Sequence, residues 1–292
     1  MPSTDTVTLI NEQTGDLAFK MFSFQDNGYF DHIQRLNYFS LVWVKSGHGK
    51  MKVDFFEYDF SEQQLFALTP YQPFMFQPED GIEGVVINFH PDFFCIHKHH
   101  EEVACNGVLF NNIFCPPFVR IDDASRATLD LLLDQMHQEA GKSGIAQFEL
   151  LVSYLKIFLI TTARLKREQQ SQQDAQVPQT DEPAILQKLK DAIEIHFKVK
   201  HSAGEYADLL HITPKALARI TKSHFNKTLT QLIAERIVIE AKRDLYLTDY
   251  SVKEIAYSLG YDDEYYFSRF FKKHTGVSPK GYRDTVGFSM AM

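Results

Sequence analysis

Cysteine is scarce in this chain of 292 residues: Cys95, Cys105 and Cys115 are odd in number and form no CxxC pair. No disulfide framework can be read from that, and free thiols in a reducing compartment are the expectation. Long apolar runs are missing too. None approaches the roughly 18 to 20 residues of a membrane span, and the opening MPSTDTVTLINEQTGD lacks the basic and apolar regions of a signal peptide. A cytoplasmic protein with no membrane partner is expected.

Net positive charge is also lacking, at −8 overall, which argues against a nucleic-acid partner until the charge is divided along the chain. Residues 1–168 carry −9, residues 169–183 carry −3, and residues 184–292 carry +4. Counterion release depends on local and not total charge, so the cationic third can still meet phosphate. The length suits about two domains, and 44% apolar residues can furnish a core for each.

The first hundred residues read as strands. Tyr38 to Val44 is a mostly apolar run, Gly47-His48-Gly49 a turn, and Met51, Val53 and Phe55 alternate with Lys50, Lys52 and Asp54. A hairpin across the glycines is expected. Further short runs at Leu65 to Leu68, Phe74 to Phe76 and Gly84 to Phe89 are separated by turn residues, a spacing that favours a barrel or jelly roll. From Asp123 the period changes. Leu129, Leu132, Leu133 and Met136 suit one helix, and a longer one runs from Ile145 to about Lys166, apolar around nearly its whole circumference. Such a helix needs more than one partner surface, and packing against a second subunit would supply it. Residues 169–183, with six Gln and two Pro, read as a flexible linker.

The remainder is helical and duplicated. Val252, Ile255, Ala256 and Leu259 fall at offsets 0, 3, 4 and 7, Gly260 suits a sharp turn, and Asp262 or Asp263 can cap a second helix that ends near Gly276 and Pro279. In that helix Phe267, Phe270 and Phe271 form the inward stripe. Ala203, Tyr206, Ala207 and Leu210 repeat the first spacing, led by Ser202 with Glu205 three residues on, the pattern of a capping box. Arg219, Lys222, His224 and Asn226 match Arg269, Lys272, His274 and Gly276 at an offset of 50. Two helix pairs with basic outer faces, joined by a helix from Leu229 to Tyr246, describe a double DNA-binding helix-turn-helix.

These motifs resemble the AraC/XylS family of bacterial transcription regulators. The resemblance spans about 184 to 284: Thr213 to Arg219 in the first recognition helix, Arg236 in the connecting helix, Ile255 to Tyr261, Phe267 to Lys273, and Gly276 to Arg283. Asn226, Leu232 and Thr221 stand where the family more often has Gly, Tyr and Phe. A looser likeness to the family's cupin-like sensor domain lies around VWVKSGHGKMKVD and LFALTPYQPFMF. The implied fold is α+β in two domains: a cupin-like β-barrel over 1–122 with a helical dimerisation segment over 123–168, a linker over 169–183, and an all-α, homeodomain-like double helix-turn-helix over 184–292. The resemblance implies base-facing roles for Lys215, Ala218, Arg219, Glu264, Tyr265 and Arg269. Thr213, Lys222, Ser268 and Lys272 are better placed for phosphates. Chemically, Arg219 and Arg269 can pair with guanine O6 and N7, Glu264 can accept from cytosine N4, and Ala218 can touch a thymine methyl. Implied partners are the major groove of double-stranded DNA at a promoter site, a small-molecule effector, a second copy of the chain and RNA polymerase.

Two other readings use the same residues. A cupin-type metal-dependent enzyme needs several His and a carboxylate converging in the barrel. The strand region offers only His32, His48 and His90, with no H-x-H on a strand, so no catalytic residue and no cofactor are expected. His97, His99 and Cys105 could share a cation, but Lys98, Glu101 and Glu102 mark a solvated loop. The other reading keeps DNA binding and makes the N-terminal domain a dimerisation module alone. The resemblance implies a small-molecule pocket instead, which Tyr38, Phe39, Trp43, Phe55, Phe66, Phe74 and Phe76 could line, although aromatics at alternating positions are more often core.

Overall fold

The computed structural model describes residues 6–11, 15, 17–54, 56–99, 107–142, 144–175 and 181–286. The chain divides into two compact units, Met1–Asn112 with Pro117–Ser171, and Ile113–Pro116 with Gln172–Met292.

The first unit is built on two antiparallel sheets. One has the order β1 (Val7–Ile10), β2 (Leu17–Phe24), β8 (Glu83–Phe89), β3 (Phe39–Ser46), β6 (Gln64–Leu68), β9 (Phe118–Arg120); the other has the order β5 (Phe56–Phe60), β4 (Gly49–Val53), β7 (Phe74–Pro78). Side chains alternate between the faces of the larger sheet. Phe19, Met21, Phe39, Leu41, Trp43, Leu65 and Ile87 face one way into a core shared with helices. Phe22, Phe24, Val42, Val44, Phe66, Leu68 and Val86 face the other way and meet Met51, Val53, Phe60, Phe74 and Phe76 of the smaller sheet. Burial on both faces is why Tyr38 to Val44 is almost continuously apolar instead of alternating. In the smaller sheet, β4 does alternate, with Lys50 and Lys52 exposed.

The hairpin expected across Gly47-His48-Gly49 does not form. β3 pairs with β6 and β8, whereas β4 pairs with β5 and β7, so the glycines carry the chain from one sheet to the other. Gly47 has φ +106°, and a Cβ there would strike the Gly81 carbonyl oxygen. The apolar alternation correctly marks both strands; it holds no information on which sheet each joins.

Helices α1 (Asp123–Ala140) and α2 (Gln147–Ala175) cover the larger sheet. Asp122 caps α1 by accepting from the Ser125 N–H at 2.7 Å. Leu129, Leu132, Leu133 and Met136 of α1 and Leu151, Leu155, Phe158 and Leu159 of α2 are buried there. The rest of α2 is not wholly covered: Leu150 and Ile157, two turns apart, are 41% and 48% exposed. Over the stretch expected as a linker, α2 continues through Gln169 to Ala175 and α3 starts at Asp181, while 176–180 lie outside the described residues.

The second unit comprises α3 (Asp181–His196), α4 (Ala203–Leu209), α5 (Pro214–Phe225), α6 (Leu229–Leu247), α7 (Val252–Ser258), α8 (Glu264–Thr275) and α9 (Pro279–Val286). The long α6 is the axis. It buries Leu232, Ile233, Ile237, Ala241 and Leu245, with Leu217 and Ile220 of α5 and Phe267 and Phe271 of α8 among the buried side chains around it. Three capping boxes start α4, α6 and α7: Ser202 with Glu205, Thr228 with Gln231, and Ser251 with Glu254. The departures from the family pattern are absorbed. Asn226 closes α5 in the left-handed conformation at φ 53°, Leu232 is fully buried, and Thr221 satisfies its hydroxyl by donating to the Ala218 carbonyl at 3.1 Å.

Candidate nucleic-acid interface

The two helix pairs are built alike, with one difference. The first helices superimpose in sequence at an offset of 49: Ser202 matches Ser251, Glu205 matches Glu254, and the left-handed residue after each C-cap is His211 (φ 54°) or Gly260 (φ 79°). The second helices match at 50, since Thr213 and Asp263 are the N-caps. The turn before α8 is therefore one residue longer. Asp263 accepts from the Tyr265 and Tyr266 N–H groups at 2.6 and 3.1 Å, which fixes the start of α8. Tyr261 plugs this turn; it is buried, with ring centroids 5.1 Å from His201 and 5.3 Å from Phe267. Burial, and then Tyr266, push its hydroxyl well above the usual tyrosine range, so it stays protonated.

On this frame α5 presents Lys215, Ala218, Arg219 and Lys222 on its exposed side, opposite buried Leu217, Ile220 and Thr221. In α8, Tyr265, Arg269 and Lys272 are exposed and Glu264 and Ser268 half-buried, opposite Phe267 and Phe271. All six expected base-facing residues thus lie on the outward sides of two amphipathic helices. Two of the expected phosphate contacts already have partners: Thr213 accepts from the Ala216 N–H at 3.2 Å as the N-cap of α5, and Lys222 donates to the Asn226 carbonyl at 3.4 Å. His274 adds no cation at neutral pH. Its ring packs at a tilt against Phe270, with centroids 4.7 Å apart, and burial, then Lys273, hold its imidazole below the usual range.

The outward cations differ in pairing from those around α6. Among the described residues Lys215, Arg219, Arg269 and Lys272 make no ion pair. The cations around α6 are committed. Arg236 Nε meets Glu194 Oε2 at 2.8 Å and its Nη1 meets Glu240 Oε2 at 3.1 Å, with the guanidinium 4.0 Å above the Phe197 ring. Lys198 Nζ meets Glu240 Oε1 at 3.1 Å and Arg243 Nη1 meets it at 3.5 Å. Arg283 donates to the carbonyls of Leu245, Thr248 and Tyr250, which ties α9 to the end of α6. Arg236 and Arg283, conspicuous in the sequence as motif residues, hold the helices together.

Of the metal candidates, His97 and His99 lie among the described residues. No group of three His, Cys, Asp or Glu able to hold a metal lies among the described residues, and Cys105 is outside them. His99 stacks on Phe94 at 4.9 Å. No described helix is long and apolar enough to cross a membrane. Of the aromatics expected around an effector, Phe39 and Trp43 point to the helices, Phe66, Phe74 and Phe76 lie between the sheets, and Phe55 is outside the described residues.

A family model described as a helix-turn-helix domain matches residues 206–285. The chain is 36% identical over 91 residues to the HTH-type transcriptional activator Btr of Bacillus subtilis, which covers 31% of this chain and 17% of Btr. It is 22% identical over 212 residues to the HTH-type transcriptional activator RhaR of Cronobacter sakazakii, covering 65% and 73%. Apo ToxT of Vibrio cholerae aligns with 93% of this chain and 99% of its own at 14% identity, with a TM-score of 0.41. The chain spans only about a sixth of Btr, and the family match, from 206 to 285, takes in all of the second helix pair and most of the first. Residues 206–285 thus match a helix-turn-helix domain, and the relatives named here are transcriptional activators of the helix-turn-helix type.

Proposed function

We propose that the protein is a sequence-specific DNA-binding transcription regulator that places α5 and α8 in successive major-groove segments on one face of the duplex. The observation that carries this is the set of unpaired cations, Lys215, Arg219, Arg269 and Lys272, on the outer faces of the two duplicated helices. The connecting α6 has 19 residues, about 28 Å at 1.5 Å each, near the roughly 34 Å pitch of B-DNA. Arg219 and Arg269 read guanines, Glu264 a cytosine, Ala218 a thymine methyl, and Lys215 and Tyr265 border them. Lys222 and Lys272, with Thr213 and Ser268, sit toward phosphates. This is a cytoplasmic binding protein and not an enzyme. The first unit senses a small molecule and the exposed Leu150 and Ile157 side of α2 meets a second copy of the chain, while residues around 169–183 join the two functions. RNA polymerase is the partner through which bound protein would act.

Genome-wide mapping of bound sites supplies the operator, and binding to it tests the residues. Arg219→Ala and Arg269→Ala are each expected to weaken specific binding by about 1 to 3 kcal/mol and to relax preference at one position. Lys272→Ala should weaken binding evenly across sequences and lower the salt slope by about one. If both arginine variants bind the operator like the parent protein, the assignment of α5 and α8 as readers fails.

A second reading, in which the first unit only dimerises, draws on the filling of its interior. Phe30, Phe66 and Phe76 are fully buried between the sheets and pack at centroid distances of 5.3 Å, which leaves that space to side chains.

A further inference from the structure

The first unit has a cavity elsewhere. About 240 Å³ in size, it lies on the helix-facing side of the larger sheet, between β2, β3, β8 and α1. Met21, Val85 and Leu133 contribute apolar lining, and Lys45, Asp130 and Asp134 line it together with the polar His137, Gln138 and Ser23. The charges differ in what they already do. Lys45 Nζ is 2.6 Å from Asp130 Oδ1 and 4.8 Å from the centroid of the Trp43 ring, and Arg126 Nε is 3.8 Å from Asp130 Oδ2. Asp130 is therefore matched by two cations and Lys45 is taken. Asp134, one turn further along α1 on the same side, makes no ion pair among the described residues. A recess of mixed lining, with His137 and Gln138 beside the apolar side chains and one carboxylate that makes no ion pair, suits a compact cation that carries an apolar body. The volume is below the roughly 300 to 1,000 Å³ of drug-sized sites, which restricts the ligand to a small metabolite.

We propose that this cavity, and not the phenylalanine-filled space between the sheets, is the effector site, and that it takes a small primary amine whose ammonium pairs with Asp134 while its hydrocarbon part covers Met21, Val85 and Leu133. The proposal rests on the reading of the first unit as a sensor. It places the ligand against α1, the helix that the Lys45 and Asp130 pair ties to β3, so occupancy would tighten the contact between helix and sheet.

The test uses the full chain, with thermal shift and calorimetry against isobutylamine, isoamylamine, putrescine, cadaverine and tyramine, each beside the alcohol of matching shape. The expected result is saturable stabilisation by at least one amine, none by its alcohol, and at least a tenfold loss of affinity in Asp134→Asn with recovery in Asp134→Glu. Asp134 is exposed and unpaired, so the variants should fold, and unchanged melting of the unliganded proteins checks this. Silence across the amine panel, or equal binding to Asp134→Asn, overturns the proposal. Operator binding by the same preparations is a separate readout, whose loss in the parent protein would instead overturn the DNA-binding reading.

Discussion

Glu240→Ala is expected to cost about 3 to 5 kcal/mol of stability, the range for removing one partner of a buried ion pair. The Glu240 side chain is only 8% exposed, and it is the shared anion for Arg236, Lys198 and Arg243. Removing it strands Arg236, itself 17% exposed, with Glu194 as its remaining carboxylate on the edge of the unit. The links to Lys198 and Arg243 are wetter, at 42% and 52% exposure, and contribute little individually. Lys198→Met should therefore cost under about 1 kcal/mol by the same measurement. Guanidinium unfolding of the full chain, followed by circular dichroism and by operator binding, reads both. A Glu240→Ala protein that unfolds at the parent's denaturant concentration would show that the network is not what joins α3 to α6.

The same network sets an acid limit. Burial alone would raise the Glu240 carboxyl, but the Arg236 charge, with hydrogen bonds from Lys198 and Arg236, holds it below its usual range. A depressed carboxylate favours the folded state above its unfolded value of 4.5, and that contribution is lost as pH falls below it toward the folded value. Asp244 has the opposite sign. Burial, and then Glu240, raise its carboxyl above 3.8, so it opposes folding at neutral pH and ceases to do so on acidification. Asp244→Asn should accordingly stabilise the protein slightly at pH 7, with the gain shrinking toward pH 4, as parallel melting curves would record.

The helix pairs were legible because local signals agree there: the 0, 3, 4, 7 spacing, the capping serines, and Gly260 and Gly276 at the breaks all describe the same object. What was not legible has physical reasons. Leu17–Phe24 is buried on both faces of its strand and so shows no alternation, and nothing in Gly47-His48-Gly49 tells a hairpin from a passage between sheets. The glutamine-rich stretch from Gln169 suggests a linker by composition, yet Gln is a good helix former and α2 runs through it to Ala175. Glu240 looks like any charged residue on a long helix until Lys198 of the preceding segment is folded against it. Arg219 and Arg269 stand out in the sequence because they repeat at an offset of 50; that they make no ion pair while Arg236 does is a property of the folded chain alone.

Gly260→Ala is expected to be the other severe substitution, because two costs fall on one atom. At φ 79° an L side chain sits in the left-handed region, about 1 to 2 kcal/mol uphill. The added Cβ would also run into the Lys198 carbonyl oxygen, with the Lys198 carbonyl carbon at 3.2 Å and His201 Cε1 at 3.3 Å. The obstacle is backbone, which cannot rotate aside, so either the turn before α8 or the loop before α4 must move. Because that loop leads into the first helix pair, the contact fixes one pair against the other within the second unit. The expected loss is therefore about 3 kcal/mol or more in stability, together with weaker operator binding in the folded remainder. The matching position in the first pair provides the control. His211 holds φ 54° with a side chain, so His211→Gly should leave stability unchanged or raise it by up to about 1 kcal/mol. Thermal melts of the two variants, with operator titrations below the lower melting point, separate a strained turn from a lost contact. Equal behaviour of Gly260→Ala and the parent protein would mean that the two helix pairs are not held together at this point.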